Sequence, residues 1–330
     1  MQLKILAIKL ILLTGIGCLP TKSEAAESLR PGSYGFLTDY SAMDAAVAKS
    51  KIQVMVRDYG IRDFQFYDWF YDYSTPVQGD CWTGAFFRTR TICKRTILAY
   101  IEEIRAQGGT SWAYVQSVGS EHNDLENPLQ QIFKLIAKDG TWYHHANRFP
   151  TYFANAAWAV HMVAEWAPEI KALGFDGIHW DSLGPIAGHY PSEAAGFHAF
   201  LRKAKVLLGD YGLKQTFNFV NLAWWDKSIV MAEVEFPYAE VWSRGIQEKY
   251  FRELEGLTPE RGRPVVAFYP SIGRKPGESE SLTMIDRWKN SWRNGARYLV
   301  VGDGTRRLIN EYFPNSADVT SEEKIQLQAP

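Results

Sequence analysis

Two acidic residues stand out by their settings. Asp181 lies in G-F-D-G-I-H-W-D-S-L-G (Gly174–Gly184), where Phe175, Ile178 and Trp180 interleave with polar positions as in a short strand that ends at a glycine-containing loop. Glu240 lies in F-P-Y-A-E-V-W-S (Phe236–Ser243) with Tyr238 and Trp242 two positions to either side. An apolar flank raises a carboxyl pKa, which suits a group that must hold a proton near neutrality. One ionised and one protonated carboxyl can together attack an acetal carbon and protonate its leaving oxygen; the retaining form needs the two groups roughly 5–5.5 Å apart. Asp176 is a rival to Asp181, but it stands at the start of the same strand, where binding backbone amides is the expected role. Glu233 and Glu235 compete with Glu240; they precede Pro237 in a stretch where solvated carboxylates are the default.

Further residues could line a cleft around this pair. F-Q-F-Y-D-W (Phe64–Trp69) ends a second strand with Tyr67, Asp68 and Trp69, a carboxylate for two hydroxyls beside an aromatic platform. Tyr114, Gln116, Asn218, Asn221 and Trp242 end other strands. His179 alternates with Trp180 and so points away from it, onto a face read as different from Asp181's own. There it is either a core histidine or a group that bonds a substrate hydroxyl. His144-His145 has no carboxylate or cysteine at ligand spacing, and reads as surface rather than metal site.

The elements that must position these residues follow from hydrophobic periodicity. Strand-like runs occur at Tyr34–Thr38, Phe64–Trp69, Thr110–Val115, Gly177–Trp180, Gln215–Val220, Ala239–Trp242, Val265–Tyr269 and Tyr298–Val301. Between them, Lys94–Gln107, Asn155–Leu173 and Glu193–Leu208 carry apolar residues at helical spacing. Repeated strand–helix alternation predicts an α/β fold, a single-domain (β/α)8 TIM barrel over residues 27–315. Carboxylates at strand C-termini then stand on the face where such barrels keep their chemistry. An open doubly wound sheet is the competitor, but no G-x-G-x-x-G follows a strand.

Composition narrows the partners. The 36 Lys and Arg balance 37 Asp and Glu, which argues against nucleic acid. Twelve Trp, 17 Tyr and 18 Phe exceed what a core needs, and polysaccharide is the partner that uses such a surplus beside carboxylates. Lys4 and Lys9, apolar Leu10–Leu19 and the small residues of Ser23-Glu24-Ala25 make residues 1–26 an expected signal peptide, hence a secreted or periplasmic protein without stable membrane insertion. The alternatives are a lipid anchor on Cys18 and a short buried helix. Cys81 and Cys93 either pair in an oxidising compartment or stay as buried thiols. Residues 316–330 read as a polar tail, and no cofactor or metal is implied.

Taken in order, Y-G-F-L-T-D-Y (Tyr34–Tyr40), F-Q-F-Y-D-W, G-F-D-G-I-H-W-D-S-L-G, F-N-F-V-N (Phe217–Asn221), Y-A-E-V-W (Tyr238–Trp242) and E-Y-F-P-N (Glu311–Asn315) resemble glycoside hydrolase family 66, the dextranases and cyclising glucanotransferases. The resemblance implies a barrel that cleaves α-1,6-glucan with retention, with Asp181 as nucleophile, Glu240 as acid/base and Asp68 holding the sugar at the point of cleavage. There are departures. Relatives usually carry β-sandwich domains on both sides of the barrel, so a shorter cleft is expected. Gly302–Thr305 reads G-D-G-T, with Asp303 a subsite candidate, where the family leads one to expect a histidine after Gly-Asp. Asp72 and Tyr73 replace a basic pair, and the large insertion of the cyclising relatives is missing. The leading expectation is a secreted dextranase-like endo-glucanase. Transfer or cyclisation on the same fold, a glycosidase for another α-linked polymer, and a non-catalytic polysaccharide-binding barrel are the alternatives.

Overall fold

The computed structural model describes residues 33–73, 75–85, 89–118, 134, 140–141, 144–145, 149–150, 154–182, 193–255, 264–268 and 280–301. In chain order its elements are β1 (Tyr34–Leu37), α1 (Ala45–Tyr59), β2 (Asp63–Phe66), β3 (Cys81–Thr83), β4 (Thr91–Cys93), α2 (Lys94–Ala106), β5 (Thr110–Gln116), β6 (His144–His145) and β7 (Phe149–Pro150). There follow α3 (Ala156–Leu173), β8 (Gly177–Asp181), α4 (Glu193–Asp210), β9 (Lys214–Phe217), a 3₁₀ turn (Val220–Leu222), α5 (Lys227–Glu233), β10 (Tyr238–Val241), α6 (Arg244–Leu254), β11 (Val265–Phe268), α7 (Glu280–Arg293) and β12 (Arg297–Val301). Residues 1–26, Asp303, the motif Glu311–Asn315 and the tail 316–330 lie outside the described residues.

Eight strands form one sheet in the order β10-β11-β12-β1-β2-β5-β8-β9, and every neighbouring pair is parallel. The two edge strands meet through a parallel bridge between Asn218 and Tyr238, and the Phe219 N–H donates to the Tyr238 carbonyl at 3.1 Å. The sheet thus curls into a nearly closed barrel with helices between its strands, as the alternation predicted.

Local chemistry explains the boundaries. Asn155 caps α3 by accepting the Ala157 and Trp158 N–H groups, and Gly174 ends it in the left-handed conformation. The chain then turns straight into β8. Gly177 opens that strand because a Cβ there would lie 2.5 Å from the Trp112 ring and 2.6 Å from the Lys214 carbonyl. Two expected strands stop early. β2 ends at Phe66 because Asp68 takes a positive φ of 49°, and β9 ends at Phe217 because the backbone enters the 3₁₀ turn, with Asn221 at φ 51°.

Period two sorts the side chains. Trp180 faces outward, edge-on to Phe200 of α4 at 5.2 Å, with its indole N–H on Gln215 Oε1. His179 and Asp181 face the barrel interior together, both against Tyr114. This corrects the sequence reading that set His179 off Asp181's vector: residues two apart share a strand face. Trp69 is a second correction. It is no cleft platform; it is fully buried outside the barrel wall among Trp166, Phe70 and Phe175, and its indole donates to the Tyr114 carbonyl. The left-handed turn at Asp68 sends the following residue outward.

The N-terminal ends of the strands hold the structural charges. Asp176 accepts the Ser111 N–H at 2.8 Å and the Ser111 hydroxyl at 3.0 Å, the amide-binding role expected of it. Glu235 pairs with Lys214 and Glu233 lies 3.9 Å from Lys205, so neither rival of Glu240 is near Asp181's end of the barrel. His144-His145 pairs in register with Phe149–Pro150 as a two-stranded piece. Among the described residues no cluster of three or more His, Cys, Asp or Glu could hold a metal ion, and no helix is long and apolar enough to cross a membrane.

Cys81 and Cys93 are cross-strand partners in the β3–β4 hairpin and form a disulfide, which decides between the two alternatives left open by sequence. The hairpin props the turn after β2: the Trp82 indole donates to the Trp69 carbonyl, and the Ala85 N–H to the Phe70 carbonyl. Closing a loop of this size stabilises a fold by about 2–3 kcal/mol. Reducing the bond, or making the double substitution Cys81→Ser and Cys93→Ser, is expected to lower the melting temperature measurably in thermal melts; an unchanged melt would show that the hairpin is held without it.

Candidate functional site

The C-terminal ends of β5, β8, β9 and β10 converge on one group of side chains. Asp181 ends β8, and its backbone carbonyl is pinned by the Ser117 N–H at 2.8 Å and the Ser117 hydroxyl at 2.6 Å. Its carboxylate is held from two sides. Tyr114 donates its hydroxyl to Oδ2 at 2.6 Å, and Asn218 donates Nδ2 to Oδ1 at 2.7 Å. The same Nδ2 donates to Glu240 Oε2 at 3.0 Å, while Asn218 Oδ1 accepts the Glu240 N–H at 3.0 Å. One amide therefore bridges both carboxylates. Their bridged oxygens can be no farther apart than those two bond lengths combined, a spacing compatible with a retaining pair.

The surroundings are buried and aromatic. Tyr67 stacks on Phe36 at 4.9 Å and meets Tyr114 edge-on at 4.6 Å. Beneath the carboxylates, His179 lies against Tyr114 and, at 4.5 Å, against the edge of Tyr238. It is 1% exposed, and neither ring nitrogen has a hydrogen-bond partner among the described residues. Burial pushes its pKa down to about 3, so the imidazole is neutral at physiological pH. Burial also raises the Asp181 carboxyl above the ordinary aspartate value, against the pull of hydrogen bonds from Tyr114, Asn218 and the Ser182 backbone. The Tyr238 hydroxyl is pushed up by burial first and by the Glu240 charge next.

Asp68 sits at the end of β2 with a left-handed backbone and 1% exposure. Gly84 of the disulfide-linked hairpin region covers it so closely that a Cβ there would stand 2.8 Å from Oδ2. On the other side of the site, Trp242 lies two residues beyond Glu240 and is 47% exposed, the one large aromatic so exposed among the described residues. Its backbone N–H donates to Asn221 Oδ1 at 2.9 Å. Asn221, Leu222 and Trp224 all take positive φ, and the turn is pinned by Phe197 stacked on Trp224 at 4.0 Å and by His198 Nε2 on the Trp224 carbonyl. Residues held in that region cost about 1–3 kcal/mol each, and such strain clusters at functional sites.

The structure thus brings together Tyr67, Tyr114, His179, Asp181, Asn218 and Glu240. It sets Trp242 just beyond β10, held to Asn221 of the adjoining turn, and leaves Trp69 outside the barrel. Sequence reasoning missed one member and one supporting contact. Tyr238 shares Glu240's face by period two, a signal that was legible. Tyr73 donates to Gln116 Oε1 at 2.9 Å, so one residue of the departure after Asp68 reaches the end of β5; no local pattern announces that contact.

A pair of carboxylates joined by one amide on a barrel's C-terminal face agrees with the family that residues 29–328 match, glycosyl hydrolase family 66. The chain belongs to that family. Two relatives, cycloisomaltooligosaccharide glucanotransferases of Niallia circulans, are 26% identical over 276 residues and 24% identical over 291. Those alignments cover 74% and 77% of this chain but 28% and 29% of the relatives, so it spans less than a third of their length. Among solved structures, a cycloisomaltooligosaccharide glucanotransferase of Paenibacillus sp. complexed with cycloisomaltoheptaose superposes with a TM-score of 0.59 at 23% identity, over 73% of this chain and 39% of that one. A maltogenic α-amylase of Thermotoga neapolitana superposes at 0.58 and 11% identity, over 91% of this chain and 76% of that one. Both likenesses describe the barrel.

The raised Asp181 pKa carries a sign for stability. The folded state holds that proton more tightly than the unfolded chain, so stability declines as pH rises from the ordinary aspartate value through the raised one. Asp181→Asn removes the buried charge, and an amide there can still accept from Asn218 and donate to Tyr114. The variant is expected to melt a few degrees higher than wild type at pH 7, with the gap narrowing toward about pH 4. Thermal melts at both pH values check this; a lower melting temperature at pH 7 would contradict it.

Proposed function

We propose that this chain is the catalytic barrel of a secreted, retaining, dextranase-like endo-glucanase acting on α-1,6-linked glucan. The observation that carries the reading is the Asn218 bridge, because it couples an aspartate and a glutamate at a spacing suited to a covalent intermediate. Asp181 attacks the anomeric carbon. Glu240 protonates the departing glycosidic oxygen, then takes a proton from the water that releases the sugar. Asp68, beside Tyr67, binds hydroxyls of the sugar being cleaved. Trp242 offers an exposed ring for stacking a neighbouring sugar.

Family membership supports the reaction class, and the isomalto-oligosaccharide chemistry in the names of the relatives supports the linkage. The disulfide supports an oxidising compartment and with it export. A second reading, transfer of the glycosyl unit to a sugar acceptor, is favoured by those same names and differs only in what attacks the intermediate.

Reducing-end release from dextran, compared with pullulan and starch, tests the substrate. Dextran is expected to be cut, and Asp181→Asn and Glu240→Gln to lower turnover by about 10³-fold or more while remaining folded. Linear products with one new reducing end per cut mean hydrolysis, whereas cyclic or elongated products mean transfer. Silence on every α-glucan from folded protein would remove the proposal.

A further inference from the structure

The barrel interior is polar where such interiors are filled mainly by branched apolar side chains. Its levels can be counted. In an eight-stranded barrel each level takes four side chains from alternate strands, and the register climbs about one residue per strand. From Gln65 of β2 the register runs through Trp112 to Gly177 of β8, and two residues up is His179. From His179 it runs through Thr216 of β9, which the seam pairing of Asn218 with Tyr238 sets opposite Phe236. Two residues up is Tyr238, and His179 meets that ring at 4.5 Å. From Tyr238 it runs through Val265 to Arg297, two residues below Leu299. Leu299 pairs with Tyr34 of β1, level with Asp63, and two residues up is Gln65 again. Gln65, His179, Tyr238 and Leu299 thus form one closed level. Tyr34 belongs to the level below, and Tyr114 and Asn218 to the level above, beneath Asp181 and Glu240.

In these two levels, four polar atoms have no hydrogen-bond partner among the described residues: the Tyr34 hydroxyl, Gln65 Oε1 and both nitrogens of His179. None of the three residues is more than 2% exposed. Buried polar groups are nearly always bonded, to protein or to water, because an unmet one forfeits its hydration. The imidazole, kept neutral by burial, offers one N–H and one bare nitrogen, set apart on the ring so that no single neighbour serves both. Gln65 Oε1 accepts, and the Tyr34 hydroxyl both donates and accepts. A water molecule donates twice and accepts twice, and joins such groups where they do not reach one another. We propose that these two levels form a buried water site, in which water bridges His179 to Gln65 Oε1, with the Tyr34 hydroxyl as a further partner. Water suits the lining, which supplies donors and acceptors without net charge; Arg297 and Asp63 on the floor already pair with each other. The bound water sets the tautomer and tilt of His179. That ring lies against Tyr114, whose hydroxyl donates to Asp181. The site stands independently of the reaction proposed above.

Two measurements on the full chain test the site. A crystal structure at a resolution that shows ordered solvent is expected to place a water within about 3.2 Å of both a His179 ring nitrogen and Gln65 Oε1. An interior without such solvent would overturn the site. The second measurement is a double-mutant cycle of His179→Phe and Gln65→Met, read by urea unfolding. Each substitution replaces a polar group by an apolar one of similar size. If water joins the two groups, each single substitution takes a partner from that water. Both are then expected to lower the unfolding midpoint, the second costing less once the first is made. If the groups are merely unmet, each substitution removes an unbonded polar atom, the midpoint rises, and the rises add. Additive effects of either sign would overturn the bridge. Where a variant does not fold, the solvent in the wild-type crystal decides.

Discussion

The side-chain amide of Asn218 is the interaction on which the rest of the arrangement depends. Its residue closes the barrel by pairing with Tyr238, and its side chain spans the seam to the two carboxylates. Closure and site geometry are therefore one constraint. A sheet that opened between β9 and β10 would separate Asp181 from Glu240, since they stand on opposite sides of that seam. A bridging amide suits the place because it is neutral, donates twice and accepts once. A charged residue would bias both carboxyls in the same direction, whereas a neutral amide leaves each to its own surroundings.

Around that seam the barrel is built in layers. The floor is an ion pair between Arg297 and Asp63, with the guanidinium over the Phe236 ring at 4.5 Å. Above it come Tyr34, Trp112, His179 and Tyr238, and above those the carboxylates. Aromatic rings fill the interior where aliphatic side chains are commoner, and pairs at these distances add about 0.5–1.5 kcal/mol each beyond burial. Outside the wall, Trp69, Phe70, Tyr73 and Trp166 pack edge to face and carry the turn that holds Asp68. Much of the Trp and Tyr surplus is thus structural support for the site rather than surface for sugar.

The disulfide hairpin belongs to the same support. It presses Gly84 against Asp68 and ties two backbone carbonyls after β2 to Trp82 and Ala85. Left-handed backbone at Asp68 on one side of the site and at Asn221, Leu222 and Trp224 on the other marks where strands give way to turns that aim side chains. Rigid strands carry Asp181 and Glu240; strained turns, held by stacking and capping, carry what surrounds them.

The eight strands and three of the helices were legible in the sequence, because alternation and helical spacing report burial directly. So were the carboxylates, through their place at strand ends. Strand ends themselves were misjudged at Trp69 and Val220: a positive φ in Asp68 or Asn221 leaves no pattern in residue types, and the turn it makes reverses which way the next side chain points. His179 could have been placed beside Asp181 by counting in twos. By itself, then, the sequence determined the fold, the place of Asp181 and Glu240 at strand ends and the family resemblance, since these rest on local periodicity and on motif order. Only the tertiary structure decided that Cys81 meets Cys93, that Trp69 lies outside the wall, and that one amide joins Asp181 to Glu240. Those are contacts between strands brought together by barrel closure, and no spacing along the chain encodes which side chain will stand between two others.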